Sequence, residues 1–256
     1  MKFDCEHLQL AVQRSFEKND RTNFNGNCEE AKVLAKDGLL IIHDFLEPNV
    51  CDGLATKVRG LVDGAHWSED GVTTLGGSKA IDRGKKFSSD TNMIDIFDVD
   101  NAINELDRTQ PLYRRITNII NSASIEPLTI SNCNVYINRG IKPRILHIDQ
   151  FFNNQFKAFI YFTDVLTLDD GPFMYVKGSH LCSGKKINSF ITNYENGSYR
   201  TDMPLYDYDE AHACLGERGT LIISDQNGVH GAHPQPIDKE RILLMLNYSK
   251  HKIDPR

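Results

Sequence analysis

The stretch RILHIDQFF, residues 144–152, holds the first pattern in the chain able to do chemistry: a His and an Asp two places apart. On an extended backbone the side chains alternate, so His147 and Asp149 would point to one side, as two ligands of a single metal ion must. Imidazole nitrogen plus carboxylate oxygen suits non-haem Fe(II). A second His would complete a two-His, one-carboxylate facial triad that leaves open positions on the metal. The pair alone is a weak signal. With nine His and 35 acidic residues among 256, about one such spacing is expected by chance.

The third ligand must come from further along the chain. His180, His212, His230, His233 and His251 are the candidates. His230 ranks first, because it follows the apolar run GTLIIS and the turn DQNG and so stands at a strand end. His233 falls in the next turn, and His212 lies in an acidic loop ahead of its strand. Arg241, eleven residues beyond His230, heads the apolar run RILLMLNYS. A guanidinium there is exposed at a strand edge, paired with Asp238 or Glu240, or turned inward. In the inward case its planar fork would hold a carboxylate.

Positioning such groups takes rigid elements. Residues 28–37 read as a helix stopped by Gly38, and GLLIIHDF (38–45) as a short strand. After Pro48, the residues Val50, Leu54, Val58 and Val62 recur at helical spacing, and a second helix begins near Pro111 with Leu112, Ile116, Ile119 and Ile120 on one face. From about residue 128 the texture becomes short β-branched and aromatic runs punctuated by Gly, Pro, Asp and Asn. In SNCNVYIN the residues Asn132, Asn134, Tyr136 and Asn138 share one face; Ser131, Cys133, Val135 and Ile137 share the other. That polar face is either solvent-facing or the lining of a wet internal site. Helices first and strands afterwards predict a mainly β protein, an antiparallel barrel or jelly roll with flanking N-terminal α-helices. No repeat or linker divides the chain. It reads as one domain: a polar leader (1–26), helical support and lid (27–125) and a core barrel (126–250).

A net charge of −6 argues against nucleic acid or an acidic membrane as the main partner. No apolar run reaches the roughly 18 residues of a membrane span. MKFDCEHLQL lacks the apolar core of a signal peptide, and the six dispersed cysteines form no disulfide framework. A cytoplasmic setting follows as the expectation. The basic cluster Lys79, Arg83, Lys85 and Lys86 lies in the Gly-rich stretch 70–90. This stretch and 183–216 are candidate loops over a barrel mouth, where specificity is usually set. The first is either a lid that would meet an anionic group on a small-molecule substrate or a solvated loop.

Taken together, HID at 147–149, KAFIYFTDVLTLDDGPFMYVKGSH at 157–180, GTLIISDQNGVHG at 219–231 and Arg241 resemble the phytanoyl-CoA dioxygenase family of Fe(II)- and 2-oxoglutarate-dependent oxygenases. AKDGLLIIHDFLEPNVCDGL (35–54) is similar to the family's N-terminal helix–strand–helix entry. One departure is Lys177, where the family usually has Pro before Gly-Ser-His. The resemblance implies a double-stranded β-helix, with Fe(II) on His147, Asp149 and His230. It also implies 2-oxoglutarate chelated to the iron and salt-bridged to Arg241. Lys157, Asn134 and Tyr136 occupy places that would add polar contacts to the co-substrate, and His180 reads as structural. The implied reaction uses O2 and 2-oxoglutarate to oxidise an unactivated C–H, releasing succinate and CO2. Related halogenases lack the carboxylate, so Asp149 points to hydroxylation, or a related desaturation or ring closure, over halogenation. The rival classes are a non-redox metal barrel acting as an isomerase or hydrolase, and a catalytically silent ligand-binding barrel.

Overall fold

The computed structural model describes residues 28–87, 92–140, 142, 145–149, 155–196 and 201–250, together with Leu10 and Gln13. The rest of the expected leader, Cys5, His251 and the flanks of RILHIDQFF (144 and 150–152) lie outside the described residues. The chain opens with α1 (Glu29–Asp37), which stops at Gly38 in the left-handed region (φ 69°), its N–H donating to Leu34 O at 2.9 Å. Strand β1 (Leu39–Ile42) and α2 (Pro48–Asp63) follow. On α2 the buried stripe is Cys51, Leu54, Ala55, Val58 and Val62, while Val50 is exposed. Steps of four overshoot a 3.6-residue turn, so the row drifts around the helix and its first member leaves the core face.

The expected lid contains three strands that periodicity did not reveal. These are β2 (Val72–Leu75), β3 (Ser78–Asp82) and, after the short α3 (Arg83–Phe87), β4 (Met93–Ile96). Gly76 and Gly77, both at positive φ, make the two-residue turn between Leu75 and its partner Ser78. Gly-Gly between short strands is a hairpin signal, masked here by the polar residues of VTTL and SKAID. Helix α4 (Pro111–Ala123) then buries Tyr113, Ile116, Ile119, Ile120 and Ala123, with Leu112 only partly covered.

The second half supplies β5 (Thr129–Arg139), β6 (Phe156–Tyr161), β7 (Phe173–Tyr175), α5 (Gly184–Glu195), β8 (His212–Cys214), β9 (Leu221–Asp225), β10 (His230–Ala232) and β11 (Glu240–Ser249). The protein is mainly β with flanking helices. An antiparallel eight-stranded sheet runs in the order β1-β9-β6-β11-β5-β4-β3-β2 and a three-stranded sheet in the order β10-β7-β8. The stretch expected as a second specificity loop, 183–216, instead contributes α5 and β8. Helix α5 packs Ile187 and Ile191 against Leu146, Ile148 and Val229.

Register decides what each face of the large sheet does. Directly opposed residues share a side, and β11 pairs Arg241, Leu243, Met245 and Asn247 with Asn138, Tyr136, Asn134 and Asn132 of β5. On the other side of β11, Asn247, Met245 and Leu243 pair with Lys157, Phe159 and Tyr161 of β6. This face looks toward the small sheet. The alternate residues Cys133, Val135, Ile137, Ala158, Ile160, Leu244 and Leu246 form the main core with α1, α2 and α4. Ser131 departs from the expected alternation. It sits in a bulge where the register shifts, its Oγ donating to Asn247 O at 3.0 Å, and Ile130 takes the apolar side.

Candidate metal centre

His147 and His230 come together by backbone pairing. Each N–H donates to the other's carbonyl, at 2.9 and 2.8 Å, and residues so opposed project to the same side. The Asp149 N–H is fixed by Gln226 O at 3.2 Å. As a result Asp149 Oδ1 lies 3.8 Å from His147 Nε2 and 3.5 Å from His230 Nε2, and the two imidazole centroids are 4.7 Å apart. Adjacent ligands on an ion with bonds near 2.1 Å stand about 3 Å apart. The two carboxylate–imidazole separations lie within about 1 Å of that spacing. Among the described residues this is the one group of three or more His, Cys, Asp or Glu with converging ligand atoms.

The ring tautomers are fixed by main-chain carbonyls. His147 Nδ1 meets Ile145 O at 3.2 Å and His230 Nδ1 meets Gly228 O at 2.8 Å. A carbonyl only accepts, so both Nδ1 atoms carry the proton and both Nε2 lone pairs face Asp149. That is the protonation pattern two imidazole ligands need. Gly228 is required for a further reason: a Cβ there would collide with the Tyr175 hydroxyl, which donates to Asp225 O at 3.0 Å. Phe173 and Tyr175 wall the His230 ring, at centroid distances of 5.5 and 6.5 Å.

Lys157 Nζ contacts Asp149 Oδ2, leaving Oδ1 for the two imidazoles. Burial alone would raise the Asp149 carboxyl. The Lys157 charge, the largest opposing cause, holds the carboxyl well below the usual carboxylate range. The ligand set is ionised as a metal requires.

Arg241 is turned inward and buried. Neither expected protein partner holds it: Glu240 pairs instead with Arg59 and Arg139, at 2.8 and 2.5 Å. Its guanidinium donates to Gly171 O. It also reaches Asn138, whose amide oxygen, turned to face it, accepts from Nη2 at 2.7 Å and Nε at 3.2 Å. Burial pulls its pKa down, opposed by the neighbouring Tyr161 hydroxyl. Among the described residues no carboxylate balances this charge. A buried cation of this kind is costly, and the cost is relieved by an anionic ligand. The contact at Gly171 lies two residues from Phe173, which ties Arg241 to the wall of the His230 ring.

Asn134 and Tyr136 line a cavity of about 300 Å³ that also includes Asp149 and Lys157. The polar face of β5 therefore borders an internal site. Asp95, Gln155 and Asn247, none of them an expected site residue, share that lining with Arg83. Asp95 and Asn247 each break an apolar strand run at an inward position, and that was the available signal. Arg83 was read as part of a basic loop, but it pairs with Asp95 at 2.7 Å, while Lys86 pairs with Asp70 at 2.8 Å. His180 is buried and donates through Nε2 to Ala35 O at 3.0 Å; His212 is exposed and His233 lies in the turn after β10. His251 lies outside the described residues.

The model of the phytanoyl-CoA dioxygenase family matches residues 34–242. The chain belongs to the phytanoyl-CoA dioxygenase family. The match spans α1 to the start of β11, so it contains His147, Asp149, His230 and Arg241. No curated protein matches the sequence significantly. Solved structures share the fold at low identity. The epimerase SnoN, solved with Fe3+, alpha-ketoglutarate and nogalamycin RO, is 17% identical with a TM-score of 0.59, covering 86% of this chain and 81% of its own. EctD from S. alaskensis, solved with 2-oxoglutarate and 5-hydroxyectoine, is 16% identical (TM-score 0.57; 92% and 80% covered). HygX from Streptomyces hygroscopicus, solved with nickel, 2-oxoglutarate and hygromycin B, is 13% identical (TM-score 0.56; 86% of each chain). Among the described residues of this family member, no helix is long and apolar enough to cross a membrane.

Proposed function

We propose that this chain is a non-haem Fe(II)- and 2-oxoglutarate-dependent oxygenase that hydroxylates an unactivated C–H of a small molecule. The observation that carries the reading is the convergence of His147 Nε2, His230 Nε2 and Asp149 Oδ1, with both Nδ1 protons committed to carbonyls. Imidazole, imidazole and carboxylate form the donor set for Fe(II) with open positions. When bound, the iron supplies O2 activation coupled to decarboxylation of 2-oxoglutarate to succinate and CO2.

The residues of the chain have separable tasks in this reading. His147, Asp149 and His230 hold the metal. Lys157 orients the Asp149 carboxylate through Oδ2. Arg241 takes the distal carboxylate of 2-oxoglutarate, and Asn134 and Tyr136 stand on the same inward face. Phe173 and Tyr175 keep water from the His230 side. Hydroxylation is proposed over halide transfer because Asp149 fills the carboxylate position. The buried, uncompensated Arg241 favours an anionic co-substrate over a non-redox metal barrel, which has no use for it. A cytoplasmic setting, where the dispersed thiols stay reduced, is part of the same reading.

The test starts with the anaerobic apoprotein. Adding Fe(II) and 2-oxoglutarate should produce a weak visible charge-transfer band, and admitting O2 with substrate should yield succinate. Absence of the band refutes chelation at this site. A variant Asp149→Ala that keeps full hydroxylase activity would overturn the ligand assignment.

A further inference from the structure

The cavity beside Asp149 carries information about what is oxidised. It is lined by four carboxamides, Asn132, Asn134, Gln155 and Asn247, together with two cation–anion pairs. Arg83 and Asp95 pair at 2.7 Å, and Lys157 pairs with Asp149. Both charges of each sign are matched within the lining, so the walls present no net charge to a ligand. Two of the four cations expected to attract an anion are engaged in the same way, since Arg83 and Lys86 serve Asp95 and Asp70.

What remains is hydrogen-bonding capacity of mixed sense. A carboxamide both donates and accepts, and the group that matches it in kind is a hydroxyl. Two of the amides have fixed orientations. Asn134 Oδ1 accepts from Asp98 N and its Nδ2 donates to Asp95 Oδ1, each at 3.3 Å. Gln155 Nε2 donates to Asn247 Oδ1. That leaves Gln155 Oε1, on a side chain only 4% exposed, without a hydrogen-bond partner among the described residues. A buried acceptor left open is unfavourable until a ligand or water donates to it. The apolar contribution comes from Phe97, Tyr136 and Met245, which offer a face for the C–H side of a ring.

Size narrows the choice. The cavity of about 300 Å³ equals the liquid volume of about ten waters. This suits one ring of about a dozen non-hydrogen atoms, and excludes a long acyl chain or a fused polycycle lying wholly inside. Resting on the oxygenase reading above, we propose that the primary substrate is an uncharged polyol of monosaccharide or cyclitol size. It is held by Asn132, Gln155 and Asn247, with one ring carbon presented toward the Asp149 side of the triad.

Ligand-observed saturation-transfer NMR on the full chain with Zn2+ and 2-oxoglutarate tests this without turnover. The probes are myo-inositol and methyl α-glucopyranoside, against glucose 6-phosphate and octanoate. Saturation transfer to a neutral polyol, weakened at least tenfold by Gln155→Leu, is the expected result. No transfer to either neutral probe overturns the proposal, as does stronger binding of glucose 6-phosphate or octanoate. The unmodified protein's ranking of the four probes decides the question even if Gln155→Leu does not fold. The anaerobic charge-transfer band is read separately. A band without polyol binding refutes only the substrate class; polyol binding without a band supports the cavity assignment and refutes the oxygenase reading.

Discussion

Replacing Arg241 with Met isolates the proposed co-substrate contact. Met occupies a similar volume but brings no charge and no N–H donor. The guanidinium is 4% exposed, donates to Gly171 O and reaches Asn138, with no carboxylate beside it among the described residues. A carboxylate seated against it gains about 1.5–3 kcal/mol from charge-assisted hydrogen bonds. At about 1.4 kcal/mol per factor of ten, the substitution weakens 2-oxoglutarate binding by about 10- to 100-fold. With 2-oxoglutarate at about a hundred times its Kd, the unmodified protein gains about 2.7 kcal/mol; a variant binding about 30-fold more weakly gains about 0.9. The difference corresponds to a loss of about 4–7 °C from the 2-oxoglutarate-induced rise in Tm for a chain of this size. Two effects on the ligand-free protein oppose each other. An uncompensated buried cation disappears, a relief of several kcal/mol, and two acceptors are orphaned at about 1–3 kcal/mol each. The ligand-free Tm should therefore move little. Calorimetry under anaerobic conditions with Fe(II), with and without 2-oxoglutarate, reads both quantities. If Arg241→Met keeps the full 2-oxoglutarate-induced shift, the guanidinium does not hold the co-substrate and the reasoning fails.

Three further outcomes follow from the same geometry. Lys157→Ala frees Asp149 Oδ2 from its ion pair and should lower metal affinity about 10- to 100-fold, the usual effect of losing a residue that orients a ligand; competitive titration against a chelator measures it. Gly228→Ala forces a Cβ into the Tyr175 hydroxyl and displaces the carbonyl that fixes the His230 tautomer; metal affinity should fall along with Tm, while a variant with unaltered metal binding would refute the positioning argument. Burial raises the Asp95 carboxyl to about 6 from 3.8, against the opposing charge of Arg83. A carboxyl raised in this way favours the folded state in its neutral form, so its contribution is complete below about pH 4 and is lost as pH rises through about 6. Asp95→Asn should therefore flatten the stability profile between pH 4 and 6 by on the order of 2–3 kcal/mol relative to the unmodified protein, as read by urea unfolding at each pH.

The triad could be read from the sequence because its spacing rules are local. His147 and Asp149 need only an extended backbone, and His230 needs only a strand end after GTLIIS, which the register to β7 and the bridge to His147 supply. The inward turn of Arg241 was one of three open alternatives. Only the structure excludes Glu240, by engaging it with Arg59 and Arg139. The hairpin of β2 and β3 was missed because its burial is intermittent; only Leu75, Ser78, Ala80 and Ile81 among its residues are buried. The segment 183–216 was read as a loop because its apolar residues contact distant ones, Leu146 and Ile148 among them, and no local period announces that. Gln155 and Asn247 form a pair 92 residues apart, which no sequence window contains.

Strand β5 shows why the fold and the site are specified together. Its outward residues Cys133, Val135 and Ile137 are sealed under the helices, and its inward residues Asn132, Asn134, Tyr136 and Asn138 line the cavity or reach Arg241. A slip of one residue against β11 would place three polar groups in the apolar core and three apolar groups in the site. Each buried polar group without a partner costs about 1–3 kcal/mol, so the wrong register is excluded by several kcal/mol from this strand alone. The bulge at Ser131 is the one place where the alternation is broken, and it lies beyond Asn132, outside the run that lines the cavity. The polar residues that could have weakened a barrel strand instead fix its register, because they have an internal site to face.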